Sequence, residues 1–179
     1  MEPSISPPPG ASSPPEFAEL VARYGSTIYR VAYSIVADVS LAEDVTQETL
    51  LKVWQNLDSY RGEAPIQHWI VRIAHNVAIS VLRRRREDVQ DPQGESLLAD
   101  RAGTADPARD AEQQLIRAAF DAALDKLDPL SRTVVVLREI EGFSYEAIAE
   151  TLELPLPTVK TRLFRARRSL AKELEGWHR

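Results

Sequence analysis

FSYEAIAETLELPLPTVKTRLFRARRSL, residues 143–170, reads as two short helices joined by a tight turn. Ser144 is a suitable N-cap for the first, with Phe143 and Ile148 at the two positions of a hydrophobic staple. Ala147, Ile148, Thr151 and Leu152 then share one face at helical spacing. Pro155 and Pro157 punctuate the break. Pro157 suits the first turn of a second helix, where its missing N–H has no partner to lose. At about 100° per residue, Val159, Leu163, Ala166 and Leu170 gather on one side of that second helix. Lys160, Thr161, Phe164, Arg165 and Arg168 gather opposite, with Arg162 and Arg167 on the flanks. Six Lys/Arg and no acid lie between Leu156 and Lys172.

A helix that is apolar inward, and cationic with a hydroxyl and an aromatic outward, has what reading a DNA major groove requires. Charge alone fits a solvated basic surface helix equally well. The preceding helix and turn, and the lack of acids among the cations, favour a helix-turn-helix.

Length and composition narrow the remaining classes. The 179 residues suffice for one ordinary domain or two small ones, and 44% apolar with 27% charged residues is globular composition. The absence of cysteine rules out disulfides, thiolate metal sites and cysteine nucleophiles. Three histidines without an HExxH pair make a metal site unexpected, and no cofactor is implied. No apolar run approaches a membrane span, so no membrane insertion and a cytoplasmic location are expected. The net charge of −5 hides an alternation: residues 61–86 carry +5, residues 87–112 carry −6 and residues 143–179 carry +2. Two basic blocks separated by an acidic one suggest two nucleic-acid contacts on one chain.

Residues 1–15 hold six prolines with Ser and Gly and read as a disordered leader. From Glu16 the spacing of Phe17, Leu20, Val21, Tyr24, Ile28, Val31 and Ile35 predicts a helix to about Ala37. Ser40 with Glu43 offers a capping box for a second helix over 41–57, with Val45, Leu50, Val53, Trp54 and Leu57 apolar. Its other face shows Asp44, Gln47, Glu48 and Lys52, which periodicity alone assigns to solvent. YRGEAP, residues 60–65, is a loop, and a long helix over 66–86 follows, with Trp69, Ile70, Ile73, Val77 and Val81 inward. It ends in Arg83 to Arg86. Residues 87–112, with eight acids against two arginines, have linker composition. A helical stripe resumes near Gln113, and Asp128-Pro129 opens another helix that stops at Gly142. The expected fold is all-α: two small helical domains, 16–86 and 113–175, on a flexible acidic linker.

Around the first basic block, Arg61, Arg72, Asn76 and Arg83 to Arg86 lie with Tyr60 and Trp69. Aromatics beside cations suit unstacked bases, since every base offers a π-face. Equally, Trp69 can serve as a core anchor and the arginines as a solvated cap on the helix dipole.

The run LAEDVTQETLLKVWQNLDSYRGEAPIQHWIVRIAHNVAISVLRRRR resembles region 2 of bacterial sigma-70 sigma factors, and LDPLSRTVVVLREIEGFSYEAIAETLELPLPTVKTRLFRARRSL resembles region 4. Both halves in this order, with no room for a folded region between them, are similar to the extracytoplasmic-function (ECF) group. The resemblance implies a non-enzymatic subunit that binds core RNA polymerase and directs it to promoters. It places Asp44, Gln47, Glu48, Leu51 and Trp54 against the polymerase, which displaces the solvent reading of that face. It places Tyr60, Arg61, Trp69, Arg72, Asn76, Ser80, Arg83 and Arg84 at the melted −10 element. Thr158, Lys160, Thr161, Arg162, Phe164, Arg165 and Arg168 fall at the double-stranded −35 element. Ser80 stands where the family pattern ends in Asp, and Leu156-Pro157-Thr158 where many members have Val-Gly-Thr. An anti-sigma factor is an implied partner; without cysteine, any redox sensing belongs to that partner. The rival reading is a stand-alone helix-turn-helix regulator, although no βαβ receiver pattern accompanies the helices here. An enzyme is disfavoured, because no nucleophile–base pair, metal cluster or Gly-rich phosphate loop appears.

Overall fold

The computed structural model describes residues 17–88 and 110–175, and over that span the fold is helical. The leader and nearly all of the acidic linker lie outside the described residues. Helix α1 covers Phe17–Val36, α2 Val39–Asn56 and α3 Ile66–Asp88, with a short 3-10 turn at Leu57–Ser59. The second half holds α4 (Asp110–Asp125), α5 (Pro129–Val135), α6 (Tyr145–Thr151) and α7 (Leu156–Leu174).

The first three helices form a mutually packed bundle. Ile28, Val31, Ala32, Val45, Val53, Ile70, Val71, Ala74, Val77 and Ala78 fill it, all essentially without solvent contact. The corner between α1 and α2 turns on Ala37, whose left-handed backbone (φ 54°) lets its N–H bond Tyr33 O at 2.9 Å. The cap of α2 differs from expectation. Asp38, not Ser40, accepts from Leu41 N at 2.9 Å, so the helix begins one turn-fraction earlier, at Val39. A carboxylate at the N-terminus also complements the helix dipole, which a hydroxyl does not. Trp54, expected among the apolar positions of α2, points outward and is 60% exposed, while Ala42 and Thr49 occupy the buried stripe instead.

In the second half, Asp128 caps α5 by accepting from Ser131 N at 3.1 Å, with Pro129 in the first turn as expected. The helix does not run straight to Gly142. It widens into a π turn at Val136–Ile140, closed by Glu141 N–H to Val136 O at 3.0 Å. Gly142 then takes the left-handed conformation (φ 74°) and Phe143 N–H bonds Leu137 O at 2.9 Å. The chain is thereby aimed into α6. Behind this sits Arg132, a buried cation that donates to three carbonyls at the end of α4: Leu124 (3.0 Å), Asp125 (3.1 Å) and Leu127 (3.2 Å). A cation on the carbonyl end of a helix meets both its orphan acceptors and its dipole.

The two helical halves dock on one another. Helix α5 and the π turn pack on α1, α6 packs on α3, and the buried apolar side chains of both halves join in one core. The seam carries polar contacts as well. Glu141 accepts from Thr27 Oγ1 at 2.8 Å and from Arg30 Nε at 2.7 Å. Ser34 and Thr133 hydroxyls meet at 3.1 Å, and the His68 ring lies 4.3 Å from that of Phe143. Linker composition between two helical patterns signals a break in the chain, but says nothing about docking across it.

Two outcomes follow for stability. Arg132→Ala removes donors from the Leu124, Asp125 and Leu127 carbonyls, of which Leu124 O keeps the Leu127 N–H at 3.0 Å, and a buried acceptor left without a partner costs about 1–3 kcal/mol; denaturant unfolding of the variant should show a clear drop in midpoint at unchanged slope. Burial holds His68 and His75 below the ordinary histidine value of 6.5, with Glu150 opposing it at His68 and Asn76 and Glu153 opposing it at His75. Their folded values being depressed, stability is full above 6.5 and is lost as the pH falls from there through the folded values. The Tm should therefore decline as the pH falls below the ordinary histidine value of 6.5, and His75→Gln should flatten that decline.

Candidate nucleic-acid interface

The second helix pair is built as its local sequence dictates. Ser144 Oγ accepts from Ala147 N at 3.0 Å, and the staple residues Phe143 and Ile148 are both buried. Beyond α6, Leu154 N–H reaches back to Ala149 O at 2.9 Å, and Glu153 takes a left-handed backbone (φ 53°) that turns the chain. Pro155 O then accepts from Thr158 and Val159 N–H, so α7 starts at Leu156, two residues ahead of the expected reading segment. The Leu-Pro-Thr sequence is accommodated because Pro157 falls in the first helical turn, where no intrahelical bond needs its nitrogen.

Val159, Leu163, Ala166 and Leu170 are buried, which anchors α7 and fixes its rotation. Lys160, Thr161, Phe164, Arg165 and Arg168 consequently face solvent, and Phe164 is 67% exposed, a large apolar side chain displayed on a cationic surface. Thr158 is half-buried at the helix start. The flanking arginines are engaged. Arg162 donates to Asp128 Oδ1 at 3.0 Å and Ser131 Oγ at 3.2 Å, while Arg167 reaches Glu139 Oε1 at 2.9 and 2.6 Å. Burial pushes the Asp128 carboxyl up, yet the Ser131 donors and the Arg162 guanidinium outweigh it and hold Asp128 below its ordinary value. The helix thus offers Lys160, Arg165 and Arg168 outward, braced by Arg162 and Arg167. An open groove of about 550 Å³ beside it is lined by Lys126, Ser131, Thr158, Thr161, Arg162 and Arg165, among others. Lys126 was not anticipated, because it sits in the turn between α4 and α5 and only the fold brings it alongside.

The first basic block forms a second surface. Tyr60 Oη donates to Ala64 O at 2.6 Å and closes the 60–65 loop, with Gly62 at φ 72°. The Tyr60 and Trp69 rings lie 5.4 Å apart, tilted by 46°, and both are half-buried. Trp69 therefore supports the core and lines the surface at once. The rings form one wall of a cleft of about 420 Å³ that also takes Arg61, His68 and Arg72, and Glu150 and Thr151 from α6. Along α3, Arg72, Asn76 and Arg83 are exposed in one row, with Ser80 half-buried beside them. Ile79 belongs to that row and is 47% exposed. Its helical spacing from Asn76 and Arg83 marks it in the sequence, where it falls outside the inward stripe of Trp69, Ile70, Ile73, Val77 and Val81. Arg84 is exposed as well and lies 3.8 Å from Glu48 on α2. The side chain of Arg86 lies outside the described residues.

A third face belongs to α2. Asp44, Gln47, Leu51 and Trp54 are exposed and Glu48 half-exposed along one side of the helix, with Leu51 50% accessible. Two large apolar side chains among acids and an amide form a surface suited to another protein. Phe17 supports Trp54 from α1 at 6.5 Å between ring centroids. Among the described residues no group of His, Asp and Glu side chains comes together to hold a metal, and no helix is long and apolar enough to cross a membrane.

Comparison with known proteins matches both halves. Sigma-70 region 2 matches residues 20–87, and sigma-70 region 4 matches residues 117–170. The RNA polymerase sigma-H factor of Pseudomonas aeruginosa is 34% identical over 169 residues, covering 89% of this chain and 86% of that one. The ECF RNA polymerase sigma factor SigE of Mycolicibacterium smegmatis is 35% identical over 87% of this chain, and the match spans 60% of that longer protein. Among solved structures, the sigma factor RpoE of Bartonella quintana, in complex with the anti-sigma factor NepR, aligns with a TM-score of 0.75 and 28% identity. That alignment covers 89% of this chain and 97% of the other.

The division of α7 into anchoring and displayed residues has a direct check by thermal or denaturant unfolding. Lys160→Ala, Phe164→Ala and Arg165→Ala should leave stability within about 0.5 kcal/mol of the parent. Leu163→Ala should cost about 2–5 kcal/mol.

Proposed function

Because the chain belongs to the sigma-70 family, in its ECF group, we propose that it binds core RNA polymerase, directs it to bipartite promoters and promotes melting of the −10 element. Both halves match the family in order, which favours a sigma factor over a stand-alone helix-turn-helix regulator. The observation that carries the finer reading is the display on α7: Lys160, Thr161, Phe164, Arg165 and Arg168 face solvent while Arg162 and Arg167 are held by acids at the rim.

In this reading α7 lies in the major groove of the −35 duplex. Arg165 and Lys160 reach guanine or phosphate acceptors, Thr161 serves as a short hydrogen-bonding side chain, and Phe164 makes apolar contact with a thymine methyl. The role of the first half is different. An unpaired base has both faces available, and the Tyr60–Trp69 corner with Arg61, Arg72 and Asn76 supplies a stacking wall beside cations and an amide. Unstacking costs a few kcal/mol, which stacking on the corner and phosphate contacts from Arg72, Arg83 and Arg84 offset. Asp44, Gln47, Glu48, Leu51 and Trp54 form the polymerase-binding face. The chain contributes no catalytic group of its own; bond formation belongs to the polymerase, and the cytoplasm is where it works. Since the Bartonella relative was solved with an anti-sigma factor, an anti-sigma factor is proposed as a partner here too.

Run-off transcription with core polymerase on a genomic promoter library tests the reading. The parent should give initiation at a defined promoter set. Lys160→Ala and Arg165→Ala should still bind core polymerase yet lose −35 dependence, each by about 5- to 150-fold for a lost base contact of about 1–3 kcal/mol. Trp54→Ala should fold normally and fail to co-purify with core. A parent that neither binds core polymerase nor redirects it ends the proposal.

A further inference from the structure

The side chains of α7 fall into three sectors. At about 100° per residue, Val159, Leu163, Ala166 and Leu170 point into the core, and Lys160, Phe164 and Arg168 stand on the displayed face. Between these sectors runs a row at four-residue steps: Thr161, Arg165 and Ser169, all exposed. With Arg162 beside it, that row forms one wall of the groove of about 550 Å³. The other wall comes from Lys126, Asp128 and Ser131, around the turn into α5.

The charge of the groove is opposite to that of the whole chain. Among the described residues that line it, Lys126, Arg162 and Arg165 stand against one carboxylate, Asp128, while the chain carries a net charge of −5. That carboxylate is engaged, since it accepts from Ser131 N and from Arg162 Nη1. Lys126 is paired with Glu173, in the last turn of α7, and the lysine side chain is 60% exposed. An ion pair so open to water adds little to stability, so it can be exchanged for another.

We propose that this groove takes the sugar–phosphate backbone of one strand of the −35 duplex, with Lys126 leaving Glu173 for a phosphate oxygen. The proposal rests on the assignment of α7 to that duplex. A helix in a major groove meets base edges with one face and the bordering phosphates with its flanks. Thr161 and Arg165 belong to the displayed face and to the groove wall alike, so the strand whose bases they meet passes along the flank that Lys126 borders. The hydroxyls of Thr161 and Ser169 are of the type that bonds phosphate oxygens as well. Lys126 is then a positioning residue, because a phosphate contact sets how α7 sits and carries no sequence information. Glu173 opposes it, competing for the ammonium and repelling the phosphate. The pair thereby sets how firmly DNA of any sequence is held, separately from what Lys160 and Arg165 read.

A structural tie between the turn and the end of α7 is the competing role for Lys126 and Glu173. The two roles differ in sign when the acid is removed. The displayed face of α7 is exposed with the halves docked, so the full chain serves as it stands. Its affinity for a fluorescent duplex of mixed sequence, over a series of salt concentrations, gives the slope of log K against log salt. Lys126→Ala should flatten that slope by about 0.9 and weaken binding about 5- to 10-fold at about 0.1 M salt. A second duplex of unrelated sequence should show the same loss, and Lys126→Arg should retain the parent slope. Glu173→Gln should tighten binding by about 1.5- to 5-fold, the equilibrium equivalent of an exposed ion pair. Arg23→Ala makes the same charge change on an exposed residue of α1 outside every face described, and should leave the slope unchanged. All four variants should keep the parent Tm. A slope that Lys126→Ala does not alter, an equal effect of Arg23→Ala, or Glu173→Gln binding as weakly as Lys126→Ala overturns the proposal. Arg165→Ala separates this proposal from the one beneath it. If it weakens duplex binding while Lys126→Ala does not, the groove alone is removed; if neither does, α7 is removed from DNA altogether.

Discussion

Phe143 is the residue on which both the helix-turn-helix and the docking of the halves depend. It follows the left-handed Gly142, bonds back to Leu137 through its N–H, and accepts from Arg138 Nη1 at 2.7 Å through its carbonyl. The residue is 2% exposed, staples the start of α6 and packs at a tilt against His68 of α3. One side chain thus sets the entry angle of α6, and through α6 the seat of α7, while also touching the other half. Filling that position with a smaller residue would leave a void shared by a motif and an interface, and closely packed interiors relax only partly around such voids.

Next to this joint, two arginines do opposite kinds of work. Arg132 is enclosed and spends its donors on backbone carbonyls, so it serves architecture alone. Arg72 is largely exposed and its partner is a side chain that water or phosphate can replace. Exposed pairs of that sort contribute little to stability, about 0–1 kcal/mol, which is what a contact needs if it is to be exchanged for another. The buried Glu141–Arg30 pair has a different role, since removing one partner strands a charge. The seam combines a firm pair at Glu141–Arg30 with a yielding one at Arg72–Glu150 beside the cleft.

How much of this could be read from the chain follows from what is local. The cap at Ser144, the staple, the Asp128-Pro129 start and the inward stripe of α7 depend on neighbours within a turn or two, and each lies where the spacing placed it. The Asp38 cap was missed because Ser40 and Glu43 offered a plausible box two residues later, and side-chain competition of that kind is decided by backbone geometry. The π turn left no sequence signal, since Val136–Ile140 satisfies an ordinary helical stripe equally well. Trp54 was ambiguous for a physical reason: an apolar side chain at helical spacing looks the same whether its partner is the core or another protein. Docking of the halves was out of reach, because Thr27, Arg30 and Glu141 are ordinary surface types until the fold joins positions more than a hundred residues apart.

The displayed face of α7 has a consequence for how such a protein changes over generations. Lys160, Thr161, Phe164 and Arg165 hang from a helix whose rotation is set by Val159, Leu163, Ala166 and Leu170 and whose rim is braced by Arg162 and Arg167. Substitutions at the displayed positions change what the helix presents without disturbing what holds it. The chemistry that α7 presents can therefore change by single substitutions without passing through an unfolded intermediate sequence.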